Sequence, residues 1–219
     1  DRWKSRAWIS GFDGSAGTVV VTADKAGLWT DSRYFLQAEA QLEDSGIDLY
    51  KMKLPETPSI PDFLLENLHQ GQAVGLDGLC YSAEEARDLA AVLAKQGIRL
   101  DSSADLMEGI WSDRPAIPAN KIFRMPTELS GASVSDKLDQ LNNQLRQAGA
   151  DCLILAALDE VAWTFNIRGT DVTYNPVAVA YGFVSEEESV LFIQPEKLTA
   201  EVAEELNKEG VILADYSRV

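Results

Sequence analysis

The sequence predicts an α/β protein built as two tandem, related domains, each a mixed β-sheet flanked by helices. Three observations carry that reading. Strand-forming runs alternate with helical periodicity along the whole chain. Two hairpins, each a pair of short apolar runs joined by a polar turn, put antiparallel pairs into sheets whose other strands are linked through helices. Aligning Gly11 with Gly169 brings hairpin, helix and strand into the same order in both halves. A repeat of that length is a duplicated domain, not a solenoid unit.

The first copy centres on 8–34. Trp8-Ile9 leads into a glycine-rich loop, Gly11 to Gly17, followed by Thr18–Thr22, a turn at Ala23-Asp24-Lys25 and Gly27–Thr30. β-Branched and aromatic residues around a polar turn read as a hairpin. Asp31 then offers a carboxylate to the first N–H groups of a helix over Ser32–Glu43. Ile47–Met52 alternates as a strand, and Pro55, Pro58 and Pro61 mark a loop into a short helix with Ser59 as its cap. Ala73–Leu76 is a brief strand. Ser82 and Glu85 form a capping box for a helix reaching Gln96, with Ala86, Leu89, Val92 and Leu93 on one face and Gly97 at its stop. Ile98–Leu100 closes the copy. Residues 101–132 are too apolar for a free linker and read as a strap across the junction.

The second copy opens with an amphipathic helix carrying Val134, Leu138, Leu141 and Leu145 in one stripe and ending at Gly149. A strand at Asp151–Ala156, a short helix at Leu158–Phe165, a loop from Thr170 to Pro176 and a hairpin over Val177–Ile193 follow. A helix at Thr199–Lys208 and a strand at Val211–Ala214 complete it. The expected domains are 1–122 and 123–219. Comparison of the copies implies that the first lacks an opening strand and the second a closing helix and strand.

Net charge is −16, from 35 acidic and 19 basic residues. Phosphate binding needs clustered Lys and Arg, so nucleic acid is not an expected partner. No apolar run approaches membrane-spanning length, and the expected compartment is the cytoplasm. Cys80 and Cys152 are far apart, and Cys152 lies in an apolar strand, so both are expected to be small buried hydrophobes.

Few residues point to chemistry. The glycines at 11, 14 and 17 run into a strand, whereas a phosphate loop runs from glycines into a helix. A nucleophile elbow fails because Asp13 stands where its first glycine belongs. His69 is the sole histidine, so a nitrogen- or sulfur-rich metal site cannot be assembled. Arg33 and Arg168 each sit on a short polar segment at the end of an apolar element, with Asp31 and Asp171 nearby. Each is either half of an ion pair that fixes a loop or a guanidinium presented for bidentate capture of a carboxylate.

Four stretches carry a family resemblance: Trp8–Thr18, Leu28–Gln37, Ile110–Pro115, and Leu158–Asp171 with Asn175-Pro176. From end to end the chain resembles the N-terminal part of the three-domain Xaa-Pro aminopeptidases, relatives of prolidase and creatinase. The resemblance implies two creatinase-type N-terminal domains ahead of a pita-bread catalytic domain. That third domain holds two divalent metal ions, usually manganese, through two Asp, one His and two Glu. None of those ligands falls within these 219 residues, so no catalytic or metal residue and no cofactor is expected here, and this region alone should be inactive. The full enzyme would act on peptides with proline second. This region would then shape substrate access and join subunits, as in a homodimer. In creatinase relatives an arginine on the corresponding stretch binds the substrate's carboxylate, which makes Arg33 the substrate-binding candidate. The alternative is a non-enzymatic, chaperone-type binder built on the same architecture, whose acidic surface would suit a basic partner.

Overall fold

The computed structural model describes residues 2–103 and 105–219, which fall into two units, Asp1–Ala116 and Ile117–Val219. The first runs α1 (Ser5–Ser10), β1 (Thr18–Val21), β2 (Ala26–Thr30), α2 (Phe35–Gln41), β3 (Asp48–Lys51), α3 (Ile60–Asn67), β4 (Ala73–Gly75), α4 (Ala83–Ala94) and β5 (Arg99–Asp101). Strand β2 is central, antiparallel to β1 with Thr18 opposite Trp29, and parallel to β3 with Gly27 opposite Asp48. Strands β4 and β5 form a separate parallel pair.

The glycine-rich loop is architecture. Helix α1 ends where Gly11 turns left-handed at φ 73°, and Phe12 then drops, fully buried, into a core with Leu28, Ala38 and Leu42. A Cβ on Gly14 would lie 2.2 Å from the Phe12 ring, so only glycine lets the loop close over it. The Arg6 guanidinium donates to the carbonyls of Gly14 and Gly17, pinning the loop from outside. On the other side of β2, Trp29 stacks on Tyr50 at 4.0 Å and meets Phe63 edge-on at 4.9 Å. A further cluster, Leu64, Leu93 and Ile98, packs α3 against α4.

The second unit contains β6 (Phe123–Arg124), α5 (Thr127–Ser130), α6 (Val134–Ala148), β7 (Cys152–Leu155), α7 (Leu158–Thr164), β8 (Ile167–Arg168), β9 (Tyr181–Ser185), β10 (Ser189–Phe192), α8 (Ala200–Lys208) and β11 (Val211–Ala214). Its sheet has the order β11-β10-β9-β7, with β10–β11 parallel and the other pairs antiparallel. Strands β6 and β8 form a two-stranded ribbon. The core gathers Val134 and Leu138 of α6, Val161 of α7, Leu206 of α8 and the inward residues of the sheet.

The duplication is visible in the topology. Each unit has an antiparallel hairpin, then a helix, then a strand parallel to the hairpin's second arm. Thr18 corresponds to Tyr181, Ala26 to Ser189 and Asp48 to Val211, all at one spacing. The hairpins share a register, Thr18 opposite Trp29 and Tyr181 opposite Phe192. The loops do not keep that spacing. The left-handed residue after α7 is Asn166 at φ 49°, so the position equivalent to Gly11 is Asn166 rather than Gly169. Asn is the usual substitute for Gly at a left-handed helix end.

The capping box expected at Ser82/Glu85 is formed, and the structure adds a second at Ser133/Asp136. Four expectations need correction. Helix α2 begins at Phe35 rather than Ser32: Asp31 does accept the Arg33 N–H, as expected, but the Tyr34 N–H donating to the Asp31 carbonyl makes this segment a separate turn ahead of the helix. The second hairpin begins at Tyr181; Val177–Ala180 is buried without strand pairing. Both cysteines are exposed. Cys152 starts an edge strand, where alternate residues face solvent. Finally, two short elements inside or beside the connecting stretch, β6 and α5, carried no sequence pattern of their own length.

Candidate functional site

The first unit opens a cleft of about 470 Å³ beyond the carboxyl ends of the parallel strands β2 and β3. That is where α/β sheets place ligands, because the chain leaves the sheet there in loops free to diverge. One wall is the Asp31–Phe35 loop. The other is Met52, Lys53 and Leu54, held by the Met52 N–H donating to the Thr30 carbonyl at 2.9 Å. Lys53 adopts a left-handed φ of 70°, which turns the chain sharply after β3.

Arg33 is the polar centre of this cleft, its side chain 66% exposed. Its Nε and Nη2 donate to Asp31 Oδ1 and Oδ2 at 2.9 and 2.8 Å, and its backbone N–H donates to Oδ1 at 3.0 Å. The guanidinium also lies 5.3 Å from the centre of the Tyr34 ring. Asp31 thus grips one edge of the guanidinium. Nη1 makes no hydrogen bond among the described residues, so the outer edge remains available for a planar anion.

Hydrogen bonds from the Arg33 side chain, then from its backbone, lower the Asp31 pKa to about 2, and Asp31 raises that of Arg33. Because the folded carboxyl titrates below its unfolded value, the contribution of this contact is complete above the ordinary carboxylate range. It is lost as pH falls through about 2. A carboxyl-detected NMR titration should therefore place the Asp31 midpoint near 2, and Arg33→Ala should return it toward 3.8. A midpoint unchanged by that substitution would show that the two groups are not paired.

Arg168 does not pair with Asp171. It donates to the carbonyls of Ala162 and Ile167 at 2.9 and 2.8 Å, satisfying groups left open around the end of α7. Asp171 instead pairs with Lys197, both side chains being fully buried. Lys137 is a second buried lysine. It donates to the Trp163 carbonyl and Asn166 Oδ1 and lies 4.4 Å from the centre of the Trp163 ring. Neither lysine stood out in the sequence, since each occupies an ordinary polar position in its local pattern.

Among the described residues no three His, Cys, Asp or Glu side chains are grouped to hold a metal ion. His69 follows α3, its backbone N–H donating to Gln72 Oε1. The donor set present does not fit a two-metal centre, so no metal-dependent step is assigned to these residues.

Comparison with known proteins agrees with this architecture. Residues 2–110 and 113–219 each match a family model described as the creatinase/prolidase N-terminal domain. The chain is 42% identical over 217 residues to aminopeptidase P2 of Arabidopsis thaliana, covering 98% of this chain and 30% of that protein. It is 38% identical over 219 residues to aminopeptidase P1 of Lotus japonicus, covering all of this chain and 33% of that protein. The crystal structure of an X-prolyl aminopeptidase from Caenorhabditis elegans, described as a cytosolic enzyme with a di-nuclear active site, superposes with a TM-score of 0.88 at 33% identity. That match covers 97% of this chain and 35% of the other. The chain thus spans about a third of the length of these relatives. It belongs to the creatinase/prolidase N-terminal domain family, two copies of which it carries in tandem.

Proposed function

We propose that these two domains form the non-catalytic N-terminal region of a cytosolic metallo-aminopeptidase that removes the residue preceding proline. The observation that carries the reading is the match along nearly the whole chain, in sequence and in fold, to X-prolyl aminopeptidases about three times as long. Two metal ions, with manganese the favoured pair, would act in the portion of the enzyme that this chain does not cover. The substrates would be peptides with proline second, and the region's work would be to shape access to the site and join subunits of a homodimer.

Within that reading Arg33 contacts substrate. Its free outer edge offers parallel N–H donors to a carboxylate, and Asp31 holds the guanidinium in plane so that little freedom is lost on binding. Arg33→Ala in the full-length enzyme should lower kcat/KM by about 1.5–3 kcal/mol, the worth of a charge-assisted hydrogen bond. The melting temperature should barely move, because exposed ion pairs contribute little stability. Unchanged kcat/KM with a lowered melting temperature would make Arg33 a loop-fixing residue instead.

A further inference from the structure

Asp31 fixes only one edge of the Arg33 guanidinium. Its two oxygens accept from Nε and Nη2, which leaves the plane of the group free to roll about that edge. The pair is also open to water, with the Arg33 side chain 66% exposed, and ion pairs in such surroundings hold geometry weakly.

The face of the guanidinium meets Tyr34. The ring centre lies 5.3 Å from the guanidinium carbon, within the range where a cation is attracted to an aromatic face. Tyr34 is itself held. Its ring stands edge-on to Phe12, with centres 6.0 Å apart and planes inclined by 85°. Its hydroxyl shares a hydrogen bond with Ser15 Oγ. Its backbone N–H donates to the Asp31 carbonyl at 3.0 Å, which ties the ring to the residue gripping the arginine's edge.

Phe12 and Ser15 both belong to the glycine-rich loop. Phe12 is fully buried, Gly14 lets the loop close over it, and Arg6 pins the loop through the Gly14 and Gly17 carbonyls. The loop therefore presents Ser15 to Tyr34 from a fixed base. Packing on Phe12 accounts for the partial burial of the tyrosine ring. It does not account for a ring face turned to the guanidinium at the centre of the cleft, nor for a hydroxyl anchored to the loop.

We infer that Tyr34 is a positioning residue for Arg33: its ring, seated on the glycine-rich loop, sets the plane of the guanidinium while Asp31 sets its edge. Together they leave Nη1 unengaged among the described residues. A carboxylate then meets a fork already oriented, so less freedom is lost on binding. This inference rests on the reading of Arg33 as the contact to a substrate carboxylate.

The test uses the full-length enzyme and two tripeptides with proline second, one ending in a free carboxylate and the other in an amide. The readout is the ratio of their kcat/KM values, acid over amide, in which any loss of folded enzyme cancels. Wild type should favour the acid, and Arg33→Ala should abolish that preference. Tyr34→Leu should lower the ratio about three- to fivefold, the worth of one exposed cation–π contact. Tyr34→Phe keeps the ring and should hold the ratio within about twofold of wild type. In an Arg33→Ala background, Tyr34→Leu should change the ratio no further. A wild type indifferent to the amide, or a ratio untouched by Arg33→Ala, would overturn the Arg33 reading and this inference with it. If Arg33→Ala abolishes the preference while Tyr34→Leu leaves it intact, the Arg33 reading stands and the positioning role alone is overturned. An equal effect of Tyr34→Leu with and without Arg33, or a Tyr34→Phe ratio as low as that of Tyr34→Leu, would overturn it too.

Discussion

Lys197→Met is expected to destabilise the protein by about 3–5 kcal/mol, the usual consequence of removing one partner of a buried ion pair. Lys197 and Asp171 are both fully buried. Lys197 Nζ donates to Asp171 Oδ2 and to the Val179 carbonyl at 3.0 Å, while the Val179 N–H donates to the same Oδ2 at 2.7 Å. Asp171 Oδ1 has no hydrogen-bond partner among the described residues. Without the lysine, the carboxylate would be left with one backbone donor in an apolar surround. Burial lowers the Lys197 pKa, and Asp171 works in the opposite direction, so the charged form of the lysine depends on its partner. The pair fastens the loop before β9 to the turn at Pro195–Lys197. The variant Asp171→Leu/Lys197→Met removes both charges and should be less destabilised than Lys197→Met alone, measured by urea unfolding. A single-variant loss below about 1 kcal/mol, in the range of a surface pair, would show that the contact does not hold the loop.

Trp29→Ala should cost about 3–5 kcal/mol, as large aromatic-to-alanine changes in a core do. Trp29 is 2% exposed, stacks on Tyr50 and touches Phe63 edge-on. Its indole N–H donates to the Pro58 carbonyl at 2.9 Å, fastening the proline-marked loop to the sheet. Trp29→Phe separates the two contributions. It keeps an aromatic ring but strands the Pro58 carbonyl, so it should cost about 1–3 kcal/mol, the range for a buried polar group left unpaired. If the phenylalanine variant proved as unstable as the alanine one, hydrogen bonding rather than packing would dominate the position. Trp29 stands two residues ahead of Asp31, so the alanine variant should also loosen the Arg33 loop and raise the Asp31 midpoint from about 2.

The relation between the two arginines shows how a shared sequence context yields different roles. Both follow apolar runs and both have an aspartate close behind or ahead. Arg33 lies on a loop beyond the sheet, where its side chain reaches solvent and Asp31 is its one ion-pair partner among the described residues. Arg168 lies in β8, paired with β6, and its guanidinium turns back onto backbone carbonyls. The sequence left ion pairing and ligand capture open for both. The structure gives Arg33 an ion pair that still leaves an edge free, and gives Arg168 neither.

What the sequence by itself determined is local in origin. The capping box at Ser82, the stripe from Val134 to Leu145, the turn around Lys25 and the strand at Val211–Ala214 are each encoded within a few neighbouring residues. The duplicated order of hairpin, helix and strand follows from reading such local signals twice, while the family resemblance lies in other stretches, among them Trp8–Thr18 and Leu158–Asp171. Tertiary structure decided the rest. Lys137 and Lys197 are buried because carbonyls and carboxylates distant in sequence surround them, and no local pattern announces a partner tens of residues away. Asn166 holds the left-handed turn because Lys137 and the Ala132 carbonyl fix its side chain. Cys152 is exposed because β7 is an edge, a property of strand order rather than of its own apolar run. Hydrophobic period and helix caps act over one or two turns of chain, whereas burial of charge and the placement of edges are set only when the sheet closes around them.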